Sequence, residues 1–364
     1  MNEIARLLDE ATSGESPACS AAVVLVSSGG RLLVSEARGT LARAADDRGS
    51  PHEFANTPAS VDTLFDLASI TKLFTAAALL TVLDEQGLGP GFRVADAIDE
   101  YRVDGLSAVT AEQLLSHTAG WPAEWTDPRS GQSPWARFRS GQPGDQAGSV
   151  HRYSCVSYLW AGLLAESLSG ERLDAVIART LLEPLGLHDT MFTPGAELRG
   201  RIAATEYQSV PDRGLVHGEV HDETAWALGG VTGNAGLFGS ASDLLVFGEM
   251  LRNGGRHQGR QVLPEWAAAA MTTNRLDDLG LATDQRPAYG QALGSRVGDA
   301  DWMGPLAALG AIGHTGFTGT SLIVEPGGRR SVVFLTNRVH PTRHRSDIRD
   351  LRLRVADAVV RLEE

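Results

Sequence analysis

Two β-rich stretches at opposite ends of the chain constrain its fold more than anything between them. Near the start, AAVVLVSSGGRLLVSEARG sets two runs, Ala21 to Val26 and Arg31 to Glu36, around Gly29-Gly30. Near the end, TSLIVEPGGRRSVVFLTN repeats the arrangement around Pro326, Gly327 and Gly328. Each reads as a β-hairpin, because glycine supplies the positive φ that tight turns between strands require. A two-stranded hairpin is marginal alone, so the two ends must meet in one sheet and the rest of the chain is an insertion between them.

The insertion reads as helices joined by Gly/Pro loops. AEQLLSHTAG, YLWAGLLAESLSG and ASDLLVFGEMLRNGG are examples, and the last two end at glycines suited to a helix C-terminus. Ile4, Leu7 and Leu8 mark an N-terminal helix. A closing helix follows Ser346 or Asp347 as candidate cap, with Leu351, Val355, Val359 and Leu362 on one face. The expected fold class is α/β: an antiparallel sheet flanked by helices, an α/β/α sandwich built from 1–75 and 285–364. A mostly helical subdomain, 76–284, is inserted, and the active site is expected at the junction.

With 364 residues, 42% apolar and 21% charged, the chain has the makeup of an ordinary globular protein of one large domain or two intimate ones. A formal charge of -13 argues against nucleic acid or an anionic membrane as partner. The longest nearly apolar stretch, Leu73 to Leu83, is too short to span a bilayer. The first residues carry neither a basic nor an apolar leader segment, and Cys19 and Cys155 form no metal-spaced pair. A reduced, cytoplasmic setting is the expectation.

Among 32 basic residues only one, Lys72, is lysine. Arginine can supply a solvated positive charge equally well, but guanidinium does not lose its proton at ordinary pH, whereas a buried ammonium can. The lone lysine therefore points to chemistry. Ser69 stands three residues before it, and KLFTAAALLTVL is a strong helix former, so both side chains project from one face of a helix's first turn. There the dipole and unpaired N–H groups favour an alkoxide or oxyanion, and a lysine amine whose pKa is lowered could accept the serine proton.

Tyr153 in HRYSCVSYLW and His314, Thr315 and Gly316 in GHTGFTGTS supply further parts in a workable order. With these the chain resembles the serine β-lactamase and penicillin-binding-protein superfamily, in its class C-like branch of esterases and transacylases, whose motifs are S-x-x-K, Y-x-N or S-x-N, and K-T-G or H-T-G. LLSHTAG, LLEPLGLHDTMF and RGLVHGEVHDETAWALGGVTGNAGLFGSASDLLVF are similar to segments of that branch. The resemblance runs from Ala21 to the closing helix and implies a β-lactamase/transpeptidase-like fold and an acyl-serine mechanism. Ser69 would be the nucleophile, with Lys72 and Tyr153 sharing the proton work. Backbone N–H groups of Ser69 and Phe317 would hold the oxyanion.

The chain departs from the pattern at Cys155, where the family has asparagine, and a thiol is a weak partner for a substrate amide. His314 replaces the lysine of many β-lactamases and weakens the fixed cation for a substrate carboxylate. Within NRVHPTRHR, Asn337, Pro341 and Arg345 match a class C spacing, so Arg345 is a candidate replacement. Trp121 and Trp125, in a Pro/Gly/Ser-rich segment that also holds Trp135, are candidate pocket residues, as is the region of Trp302. His217, His221 and Asp222 could suggest zinc, but the intervening glycine and the lack of a third ligand argue against it. No metal and no cofactor are expected.

The leading expectation is a serine esterase or acyltransferase acting on an ester or thioester donor, with water or a small amine or alcohol as acceptor. A class C-like β-lactamase or D-stereospecific peptidase is the alternative. A catalytically silent scaffold is a third, disfavoured by the retained lysine. Oligomeric state is not legible.

Overall fold

The computed structural model describes residues 2–125, 133–282 and 285–362. The chain opens with helix α1 (Glu3–Thr12) and the hairpin β1 (Ala21–Ser28) and β2 (Arg31–Gly39). Gly29 and Gly30 turn the hairpin at φ of 59° and 80°, a conformation a side chain would strain. Three long helices of the middle matter for the site and its support: α2 (Thr71–Glu85), α3 (Cys155–Ser169) and α4 (Ala241–Arg252). The chain then returns through β3 (Gly290–Gln291), β4 (Arg296–Val297), β5 (Ile312–Thr315), β6 (Ser321–Val324) and β7 (Arg330–Thr336) to helix α5 (Arg349–Arg361).

These strands form one seven-stranded sheet in the order β3-β4-β5-β6-β7-β1-β2, and all its pairings are antiparallel. The chain ends meet inside it, where Val24 of β1 lies opposite Phe334 of β7. Every residue of β1 is buried, which requires cover on both faces. Ala22, Val24 and Val26 pack with α1, α5 and Trp302; Val23 and Leu25, pointing the other way, join the large core with Phe247 of α4 and the apolar residues of α2 and α3. The expected α/β/α sandwich is therefore the observed architecture.

Helices α1 and α5 lie side by side and antiparallel, with ion pairs from Arg361 to Glu3 and from Arg354 to Glu10. Asn337, just past β7, ties three distant pieces together. Its Oδ1 accepts the N–H groups of Ser20 and Ala21, and its Nδ2 donates to Ala204 O in the middle of the chain.

Local differences from the sequence reading have simple causes. The closing helix starts at Arg349, with Asp347 Oδ1 accepting the Arg349 N–H, and Leu362 lies past its end, partly exposed. Ser69 sits in a short 3₁₀ turn, Ala68–Ile70, that leads into α2, rather than on the helix itself.

Candidate active site

The site is assembled where the α2 entry, the start of α3 and strand β5 converge. Ala68 takes φ +47°, left-handed and unusual for a side chain, and this turn presents Ser69. The strain is held from outside the turn. Asp66, buried, accepts the Ala68 N–H with one carboxylate oxygen (2.8 Å) and the His221 N–H with the other (2.6 Å), while Thr318 and Thr320 donate to the carbonyls of Asp66 and Leu67.

Lys72 is fully buried. Its Nζ donates to Ser69 Oγ at 2.9 Å, to Asn234 O at 2.9 Å and to Cys155 Sγ at 3.5 Å. Three acceptors match the three N–H bonds of an ammonium. Asn234 O can reach Lys72 because its loop lies against α3: a Cβ on Gly233 would stand 2.0 Å from Tyr158 O, so only glycine permits this approach.

Tyr153 completes the cluster, its ring centroid 5.1 Å from Lys72 Nζ and its hydroxyl under the influence of both Lys72 and Ser69. Two backbone bonds to one residue fix it from either side. Arg152 N–H donates to His117 O (2.9 Å), Ser154 N–H donates to His117 Nδ1 (3.1 Å), and the His117 ring packs 4.7 Å from the phenol ring. His117 itself adopts φ +60°.

Electrostatic influences at the cluster pull in opposite directions. Burial does work to free the Lys72 amine of its proton, but Cys155, Tyr153 and Asp222 outweigh it and hold the ammonium above the ordinary lysine range. Burial pushes the Tyr153 hydroxyl up, with Lys72 pulling part of the way back, and the same two influences leave the Cys155 thiol raised. His314 is buried and held well below its usual range, mainly by desolvation and by Arg296 and Lys72, so it is neutral, with its Nδ1–H donated to Thr315 O.

A cavity of about 590 Å³ opens in front of Ser69. Tyr153, Cys155, His314, Thr315, Gly316 and Phe317, all named from the sequence, line it. The Phe317 N–H has no hydrogen-bond partner among the described residues and the Phe317 ring is 49% exposed. Gly316 lets β5 close on the nucleophile turn, since a Cβ there would stand 2.6 Å from Leu67 O.

Four candidates do not line this cavity. Arg345 lines a separate surface groove with Arg43 and Arg48; the cavity instead takes Arg296, Arg338, Arg343 and Arg352. Trp121 is buried beneath the site, donating its indole N–H to Tyr101, and Trp125 packs edge-on against Phe138. Trp302 belongs to the core under α1 and α5. Of the segment between Trp121 and Trp135, residues 126–132 lie outside the described residues.

Sequence reasoning missed the arginine wall. Arg338 donates only to the carbonyls of Phe317, Arg343 and Ser346, and Arg352 only to those of Gly316 and Thr320, so neither meets a carboxylate among the described residues. Arg343, by contrast, is paired with Glu206 and Glu223.

Comparison with known proteins places these features in context. The family profile described as Beta-lactamase matches residues 8–357. A protein of Escherichia coli strain K12 named "Putative D-alanyl-D-alanine carboxypeptidase" is 32% identical over 320 residues, covering 78% of this chain and 70% of that protein. A class C beta lactamase from Rhodobacter sphaeroides superposes with a TM-score of 0.72 at 20% identity, covering 100% of both chains. EstCE1, a hydrolase with promiscuous acyltransferase activity, superposes at 0.69 with 23% identity, covering 98% of this chain and 96% of its own. The fold is thus the α/β fold of β-lactamases. No helix among the described residues is long and apolar enough to cross a membrane.

Proposed function

The chain belongs to the Beta-lactamase family, and from that premise we propose that it is a serine hydrolase or acyltransferase that passes through an acyl-Ser69 intermediate on an ester or thioester donor. The observation that carries this reading is the 2.9 Å bond from the sole lysine to Ser69 Oγ, with the Tyr153 ring centroid 5.1 Å from the same amine.

The chemistry follows from the proton inventory. With Lys72 an ammonium and Tyr153 a phenol, neither can take the serine proton, so the working form is the one in which the pair has lost one proton. That form accepts the Ser69 proton as Oγ attacks the carbonyl, then delivers it to the leaving group as the carbonyl re-forms. The oxyanion is received by the backbone N–H groups of Ser69 and Phe317. An ester or thioester is favoured because Cys155 stands where an asparagine would hold a substrate amide, and its sulfur is already turned to Lys72.

A second reading has its own support. Arg338 and Arg352 face the cavity without carboxylate partners, which suits a donor ending in a carboxylate, and the Escherichia coli relative carries the name of a carboxypeptidase. Here the chain would cleave peptides ending in a D-amino acid.

Intact-protein mass spectrometry after brief exposure to activated esters, an acyl thioester, a D-Ala-D-Ala peptide and a penicillin separates the two, with Ser69→Ala as control. Serine-dependent adducts from esters or thioesters alone support the first reading. Adducts or turnover with the peptide or penicillin shift the assignment to the second. No adduct from any donor returns the chain to the scaffold alternative.

A further inference from the structure

The cavity holds a second acid–base group that acylation does not use. His221 lines it and its side chain is only 3% exposed. Its Nε2 lies 2.9 Å from Glu206 Oε2, and Glu206 is also gripped by the Arg343 backbone N–H (2.7 Å) and guanidinium (2.6 Å). Burial works to raise Glu206, but these bonds from His221 and Arg343 win and hold its carboxyl down to about 2. The ionised carboxylate receives the Nε2–H, so in the neutral ring the free lone pair lies on Nδ1. That nitrogen has no partner among the described residues and is not sealed from solvent.

The placement ties this dyad to the reaction. Asp66 bridges the backbone N–H groups of Ala68 and His221, so the histidine is anchored to the nucleophile turn. Its ring also stacks on Phe317, whose N–H is the second oxyanion donor, at 5.7 Å between centroids. A buried charged network is costly, and a group serving only to satisfy Glu206 would need a donor but no free acceptor in the cavity.

We infer that His221, oriented by Glu206, is the general base for the acceptor in deacylation. This rests on the acyl-Ser69 reading. Nδ1 takes the proton of the incoming water, alcohol or amine as its oxygen or nitrogen bonds to the acyl carbon. The bond from that carbon to Ser69 Oγ breaks, and Oγ recovers a proton from Lys72. His221 then releases its proton to solvent while the Lys72–Tyr153 pair takes one up, closing the cycle. The two sides of the reaction thereby have separate bases, one for the donor and one for the acceptor.

His221→Gln tests this, since the amide can still donate to Glu206 but is no base. The donor is whichever of the above panel acylates the wild-type protein. Expected are a full acylation burst on Ser69, a deacylation rate lower by about 10²-fold or more, and acyl-enzyme accumulating by mass. Hydroxylamine, a strong nucleophile that needs no base, should release the acyl group from variant and wild type at similar rates. Unchanged deacylation of the variant overturns the inference, as does equal slowing with hydroxylamine. Loss of the burst in both His221→Gln and His221→Asn overturns it too, by making the residue structural. Failure of the wild-type protein to acylate at all removes the acyl-Ser69 reading itself, which is a different result.

Discussion

Replacing Lys72 separates its chemical role from its packing. Lys72→Arg keeps a cation but forbids proton loss, and loss of a positioned acid–base group typically costs about 10²–10⁴ in rate, or roughly 3–5 kcal/mol of barrier. The site is fully buried, so the larger guanidinium adds overpacking of about 1–3 kcal/mol, within the roughly 5–15 kcal/mol a folded domain holds. Lys72→Met supplies the complement. It strands Asn234 O, the acceptor at 2.9 Å, at a cost of about 1–3 kcal/mol, but it also removes a buried charge, which offsets much of that loss. Both variants should therefore fold, with Lys72→Met near wild-type stability, while the Ser69 acylation burst falls at least a hundredfold. The burst is read by stopped-flow with an activated ester and by intact mass; stability is read by chemical denaturation. Acylation by either variant within tenfold of wild type would refute the assignment of Lys72 to proton transfer.

Other consequences can be checked in the same preparations. Because Lys72 and Tyr153 are both held above their ordinary ranges and the working pair lacks one proton, the acylation rate should climb with pH and still be rising above about pH 8; a profile flat from neutrality upward would contradict this. Gly233→Ala puts a Cβ 2.0 Å from Tyr158 O, so the loop must withdraw Asn234 O from Lys72, and both melting temperature and acylation should drop together; a wild-type burst from this variant would show that the Asn234 contact is dispensable. Glu206, held down to about 2 from 4.5, contributes stability that is present above the higher value and lost as pH falls through the lower. That contribution is about 3 kcal/mol, so Glu206→Gln should lower neutral-pH stability by this order and flatten the acid limb of denaturation between about pH 5 and 2, whereas an unaltered limb would assign acid sensitivity elsewhere.

What could be read without coordinates was whatever is encoded over short spans. The hairpins announced themselves through Gly29-Gly30 and Pro326-Gly327-Gly328, and Ser69 and Lys72 through a three-residue spacing and the absence of any other lysine. The neutral state of His314 was also foreseeable from its chemistry. Residues whose role depends on which way an irregular segment turns were not legible. Arg345 matches a spacing, but it is Arg338, Arg343 and Arg352 that turn into the cavity. Trp121 and Trp125 pack with Tyr101 and Phe138. The partner of His221 is Glu206, across a loop rather than along a helix, so a pattern that suggested a metal pair concealed a carboxylate–imidazole dyad. The retained proton on Lys72 likewise depends on Tyr153, Cys155 and Asp222, whose proximity no local pattern announces.

The pairing of β1 with β7 has a consequence for how the chain acquires its shape. Strand β1 is made early, yet its central partner is joined to it across nearly the whole chain, as Ser20 and Asn337, 317 residues apart, bond at the same place. Until β7 is made, a strand buried along its whole length in the finished fold has β2 on one edge and nothing on the other, the condition under which chains stall or associate wrongly. The antiparallel lie of α1 and α5, with Arg361 beside Glu3, offers a remedy already built into the geometry. A short link from α5 to α1, with the chain reopened in an exposed loop of the middle of the chain, would bring β7 and β1 into sequence proximity and turn a long-range contact of the fold into a local one.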